Sequence, residues 1–134
     1  MSSYRDLEIY KLSKELAIKV HKMTLSLPKF EMYEEGSQIR RSSKAIASAI
    51  VEGYGRSRYK AEYIKYLTYA HAECDETILH LEFLFETESL KDKEFFDEAY
   101  ASYDQLGRKI NKYTQWVEEN WNEPRTSNPV TRTS

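Results

Sequence analysis

The chain has one cysteine, three prolines and four glycines in 134 residues, and what it lacks narrows its class. A lone Cys74 cannot close an intramolecular disulfide, which argues against a disulfide-stapled secreted domain and for a reducing compartment. Apolar runs are only a few residues long, far short of the roughly 20 that a membrane-spanning helix needs. The N-terminus has no apolar h-region, so the expectation is a cytoplasmic protein with no membrane partner. No stretch alternates with period two, so strands are not expected. The net charge of −2 by itself predicts no polyanionic partner.

What is present is an uneven charge distribution. Residues 1–37 are balanced, whereas 38–65 carry seven basic side chains (Arg40, Arg41, Lys44, Arg56, Arg58, Lys60, Lys65) against Glu52 and Glu62. Residues 66–100 carry ten acids against Lys91 and Lys93. A basic middle followed by an acidic segment fits head-to-tail complementarity between helices or subunits, and equally a nucleic-acid surface.

The stretch 37–56 holds most of that basic charge together with a run of Ala, Ser, Ile and Val. Small residues at this density let another helix approach closely, so the segment reads as an inner helix or one used between subunits. Gly53 and Gly55 near its end are expected to turn the chain, since glycine accepts the left-handed conformation that often closes a helix.

Four helices follow from period and punctuation. Ile9, Leu12, Leu16, Val20, Met23 and Leu27 recur at steps of three and four until Pro28 ends the first. The linker 29–36 carries Phe30 and Tyr33, which predicts that it packs on the bundle. Helix two starts near Glu35 to Ser37, with Ser37 the expected N-cap, and turns Ile39, Ser42 or Ser43, Ile46, Ala49 or Ile50 and Gly53 to neighbouring faces. Helix three starts near Tyr59 with Ser57 as cap, runs to about Thr87, and faces Tyr63, Leu67, Ala70, Cys74, Thr77 or Ile78, Leu81 and Leu84 or Phe85 inward. Tyr54, Tyr59, Tyr66 and Tyr69 read as interface tyrosines. Helix four runs from about Asp92 to Trp121 with Phe96, Tyr100, Tyr103, Leu106, Ile110, Tyr113, Val117 and Trp121 in step. Short connections give an all-α, antiparallel up-down-up-down four-helix bundle over 1–121, followed by a disordered tail, 122–134.

Catalytic and metal chemistry find little support. Di-metal carboxylate bundles need a Glu-x-x-His on each of two helices. Here Thr77 stands three places before His80, and helix four has no histidine. Glu76 and His80 read as a helix-surface pair, and His21 and His71 as edge residues. Gly53-x-Gly55 follows a helix and lacks a third glycine, so it is no dinucleotide loop. Cys74 reads as a core residue whose neighbouring acids oppose thiolate formation. No enzyme, cofactor or metal is expected.

The candidate site is therefore a binding surface. Arginine meets phosphate through a planar fork that stays charged at any physiological pH. Arg40, Arg41 and Lys44 lie early in helix two, where free backbone amides also favour anions. Arg56, Arg58 and Lys60 lie at the turn that follows, roughly 15 residues of about 1.5 Å each away. Tyrosines between them can stack on unpaired bases. The competing reading pairs the arginines with Glu52, Glu62 or a neighbouring subunit, has Arg56 close the last carbonyls of helix two, and leaves the tyrosines to fill an interface.

Four motifs resemble a known bacterial family in order and spacing. They are Asp6-Leu7, Leu27-Pro28, Gln38-Ile39-Arg40-Arg41-Ser42 and Glu52-Gly53-Tyr54-Gly55-Arg56. The segment Cys74-Asp75-Glu76-Thr77 is similar too, and the resemblance covers roughly 4–120. The family is that of the 23S rRNA intervening-sequence proteins, related to accessory proteins of diversity-generating retroelements. The resemblance implies a four-helix bundle assembling into a homo-oligomeric ring, typically a pentamer, with RNA, DNA or a protein as partner and no enzymatic activity. Many members have Pro and Asn where this chain has Ala47 and Ala49, so this chain cannot use that asparagine amide. The basic positions Arg40, Arg41 and Arg56 match.

Overall fold

The computed structural model describes residues 3–122. The tail expected to be disordered lies, beyond residue 122, outside them. Four helices follow in order: α1 (Glu8–Thr24), α2 (Glu35–Gly55), α3 (Lys60–Glu86) and α4 (Lys93–Asn120). Short 3-10 turns, Tyr4–Asp6 and Lys29–Tyr33, precede α1 and α2.

Side-chain contacts fix the directions. Glu35 and Ser42 of α2 meet His80 and Thr77 of α3, while Gly53 lies against Tyr63 and Tyr66, so these helices run antiparallel. Phe85 stacks on Phe96 and Tyr63 bonds Tyr113, which makes α3 and α4 antiparallel. Thr24 meets Arg40, and Glu8 meets Lys109, which orients α1 against both neighbours in the same way. This is the up-down-up-down bundle that the short connections require.

The core is built from the inward stripes. Ile39, Ile46, Ile50, Leu67, Leu81, Leu84, Leu106 and Ile110 are fully buried, each contributing about 1.5–3 kcal/mol through removal from water. Leu12 and Leu27, read as members of the α1 stripe, are half-buried at its edge, and Ser13, Ala17 and Thr24 are buried in addition. Cys74 is buried, and its thiol donates to the Tyr103 carbonyl at 3.2 Å. Burial, with Asp75 and Asp104 nearby, pushes that thiol up to about 12.

Helix ends depart from the expected caps. Ser37 lies inside α2, and the Glu35 amide donates to the Glu31 carboxylate at 3.1 Å instead. Ser57 caps nothing, whereas Asp92 accepts from the Phe95 amide at the start of α4. No described glycine has positive φ, so the turn after α2 is not a left-handed glycine turn. Among the described residues the one positive φ belongs to Glu88, in the α3–α4 connection.

The α1–α2 linker is held by polar groups rather than by its aromatics. Phe30 and Tyr33 are exposed, whereas Glu31 is buried and also accepts from the Ser89 hydroxyl at 2.6 Å. A Cβ at position 36 would collide with the Glu31 carbonyl oxygen, so this entry to α2 requires Gly36.

Candidate nucleic-acid interface

The corner between α2 and α3 gathers most of the candidate residues. Gly53 makes it compact: a Cβ there would lie 2.9 Å from Tyr66 Cβ, so only glycine lets α3 come this near. The Arg56 amide closes α2 on the carbonyls of Glu52 and Gly53, and the Ser57 amide on that of Tyr54. The Trp121 indole, donating to the Ser57 carbonyl at 2.7 Å, ties the turn to α4.

On this frame three cations sit over tyrosine rings. The Arg56 guanidinium lies 5.2 Å from the Tyr66 centroid, with Lys65 on the same ring at 5.6 Å and Arg58 5.8 Å from the Tyr59 ring. Tyr69 meets Tyr66 edge-on at 5.3 Å. Tyr59 and Tyr69 are exposed and Tyr66 is half-buried. Tyr54 faces inward instead and packs edge-on against the buried Tyr63. Lys60 opens α3, half-buried.

Arg56 is also engaged by carboxylates. It bonds Glu52 at 2.6 Å and reaches Glu62 at 3.4 Å, and the Glu52 hydrogen bond raises its pKa. Its side chain meets these carboxylates and not the last carbonyls of α2. Such exposed, solvent-screened pairs contribute little to stability, so a phosphate can compete for the guanidinium.

Early in α2 the two adjacent arginines diverge. Arg40 turns inward and donates to Thr24 Oγ1 at 3.0 Å and to the Met32 carbonyl at 2.7 Å, which locks the linker against α1. Arg41 is exposed and makes a long bond to Gln38 at 3.3 Å. It also faces Glu73, whose carboxyl is raised by burial and by Glu76, with Arg41 acting in the opposite sense. Lys44 lies 3.0 Å from His21 Nδ1. Two of the amides that open α2 are already taken, Glu35 by the buried Glu31 carboxylate and Gln38 by the Glu34 carbonyl.

Two ionisable residues escaped the sequence reading of the core. His80 is buried, with Nδ1 2.7 Å from Glu35 on α2 and Nε2 3.4 Å from Glu76, so it bridges helices rather than decorating a surface. Glu31 was hidden in an apparent loop. A polar residue at an inward helical phase was the available signal for His80, and Glu31 left none. Among the described residues no group of three His, Cys, Asp or Glu side chains could hold a metal ion. No described helix is long and apolar enough to cross a membrane.

The sequence profile described as 23S rRNA-intervening sequence protein matches residues 5–112. The chain belongs to this family. No curated protein matches it. Among the solved structures it is similar to is a protein of unknown function from the S23 ribosomal protein family of Bacteroides thetaiotaomicron. It superposes with a TM-score of 0.72 at 21% identity, over 80% of this chain and 95% of that one. At this identity the family neighbour supports the bundle fold alone.

Proposed function

We propose that this family member is a non-enzymatic homo-oligomer that binds single-stranded nucleic acid at the α2–α3 corner. The observation that carries the reading is the set of cations over tyrosine rings: Arg56 and Lys65 at the half-buried Tyr66, and Arg58 at the exposed Tyr59. Cationic groups meet phosphates while tyrosine faces stack on bases, a combination that tolerates sequence. Arg41 extends the basic surface along α2, and repetition in an oligomer multiplies the phosphates met. Arg40 does not touch nucleic acid in this reading.

The test is a fluorescence titration of the purified protein with single-stranded RNA at several salt concentrations. Removing one cation that neutralises a phosphate lowers the salt slope by about 0.7 for a single strand. Arg58→Ala and Lys65→Ala therefore reduce the slope, and Tyr59→Ala weakens binding by about 1–3 kcal/mol per unstacked base. No binding at low salt would overturn the proposal. A second reading, a protein-interaction scaffold without nucleic acid, is favoured by the pairing of Arg56 with Glu52 and Glu62.

A further inference from the structure

Two faces of the bundle have opposite charge and matching apolar relief. The first is an open cleft between α1 and α2, about 350 Å³ in volume. Ala17, Ile18 and Ala47 line it, and Lys14, Lys22 and Lys44 stand with them. Ile18 is 47% exposed although it sits in the middle of α1. The small side chain of Ala47 on α2 leaves the backbone there open to close approach.

The second face is the outer side of α3. This helix is apolar on both sides: beyond its buried stripe, Leu79 and Phe83 are 45% and 46% exposed, one turn apart. Two large apolar side chains left exposed on the face opposite the buried stripe mark a contact surface. Ala72, Asp75, Glu76 and Glu86 share this outer stripe, and all are exposed. The ridge therefore interleaves apolar and acidic side chains, the complement of a lysine-rimmed apolar cleft.

We infer that the α3 ridge of one copy seats in the α1–α2 cleft of the next, with Leu79 and Phe83 against Ile18 and Ala47 and the acids facing Lys14, Lys22 and Lys44. The occupant is a second copy because the charge complementarity lies within one chain. The cleft has no converging polar donors beyond its lysines and His21 with which to orient a small ligand. Because the two faces differ, the contact is heterologous, and repetition gives a closed ring or an open filament. The inference rests on the homo-oligomer part of the proposed function and identifies its seam.

Mass photometry or sedimentation of the full chain tests it with two variants. Ile18→Glu keeps its fold because a carboxylate beside Lys14 and Lys22 is locally favourable, and Leu79→Lys does so beside Glu76 and Asp75. Each alone is expected to fall to the monomer mass of 15.9 kDa. An equimolar mixture is expected to recover assemblies of at least two chains, since each variant retains the face that the other has altered. Circular dichroism checks that both variants remain helical. Assembly of the single variants, or a mixture that stays monomeric, would overturn the seam while leaving the homo-oligomer standing. A wild-type chain that is itself monomeric would overturn both.

Discussion

Arg40 and Arg41 are neighbours in sequence with the same charge, yet the structure gives them different work, and this difference can be measured. Arg40→Met keeps most of the apolar stem and removes the guanidinium that joins Thr24 Oγ1 to the Met32 carbonyl. Hydrogen bonds from a charged donor are worth about 1.5–3 kcal/mol each, less where water can replace the donor. Thr24 is 1% exposed and its hydroxyl still donates to the His21 carbonyl, so the main loss falls on Met32 and on the closure of the linker. Together these give about 2–3 kcal/mol. With a urea m-value near 2 kcal/mol/M, the midpoint should fall by roughly 1 M. Arg41→Met removes one exposed bond and should change stability by less than about 0.5 kcal/mol. The binding arm runs the other way: Arg41→Met lowers the salt slope for RNA, and Arg40→Met leaves it unchanged below its unfolding transition. Equal stability losses, or an equal loss of RNA affinity, would refute the assignment.

Other expectations follow from burial. Cys74, Tyr63, Tyr103 and Tyr113 all have pKa values raised, chiefly by burial. The unfolded chain therefore releases these protons first. Their contribution is fully present below about pH 8.5 and declines as pH rises, by about 1.4 kcal/mol per unit for each group ionised only when unfolded. Urea midpoints that stay flat between about pH 8 and 11 would contradict this. Tyr103 carries the one buried side-chain polar atom without a geometric hydrogen bond among the described residues, although Ser43 is near. Tyr103→Phe should thus be neutral or stabilising by up to about 1 kcal/mol. Tyr63→Phe, which breaks the 2.7 Å hydroxyl pair with Tyr113, should cost about 1 kcal/mol in the same denaturation assay. Gly36→Ala must push against the Glu31 backbone and should lower the melting temperature, an overpacking cost of about 1–3 kcal/mol outweighing the gain in helix propensity. Gly55→Ala meets nothing within 4 Å and should raise the melting temperature, a gain of about 0.4–1 kcal/mol.

The bundle was legible because its cause is local and repetitive. Steps of three and four along α4 put Tyr103, Leu106, Ile110 and Val117 on one side whatever they pack against, and all four are buried. Side-chain destinations are less local. Whether Arg40 or Arg41 faces inward depends on a turn of about 100° per residue, on Thr24 and on a carbonyl eight residues upstream. The linker aromatics misled for a related reason: they implied an apolar anchor, whereas Glu31 and Arg40 fasten the segment and leave Phe30 and Tyr33 exposed. The glycines near the end of α2 suggested a turn, but Gly53 serves the approach of α3, a relation between helices that no single segment encodes. At the α2–α3 corner, the charge cluster and its tyrosines could be read directly. The seating of Arg56 and Lys65 on one ring, and the inward turn of Tyr54, required the fold.

The most direct test of the account is the salt dependence of single-stranded RNA binding by the wild-type protein beside an Arg56→Ala/Arg58→Ala variant. The account predicts steep salt dependence in the wild type. In the variant it predicts a slope smaller by about 0.7 for each phosphate no longer neutralised, with stability nearly unchanged because both side chains are exposed. Absence of binding at low salt, or identical slopes for the two proteins, would contradict it and leave the corner as a contact between proteins.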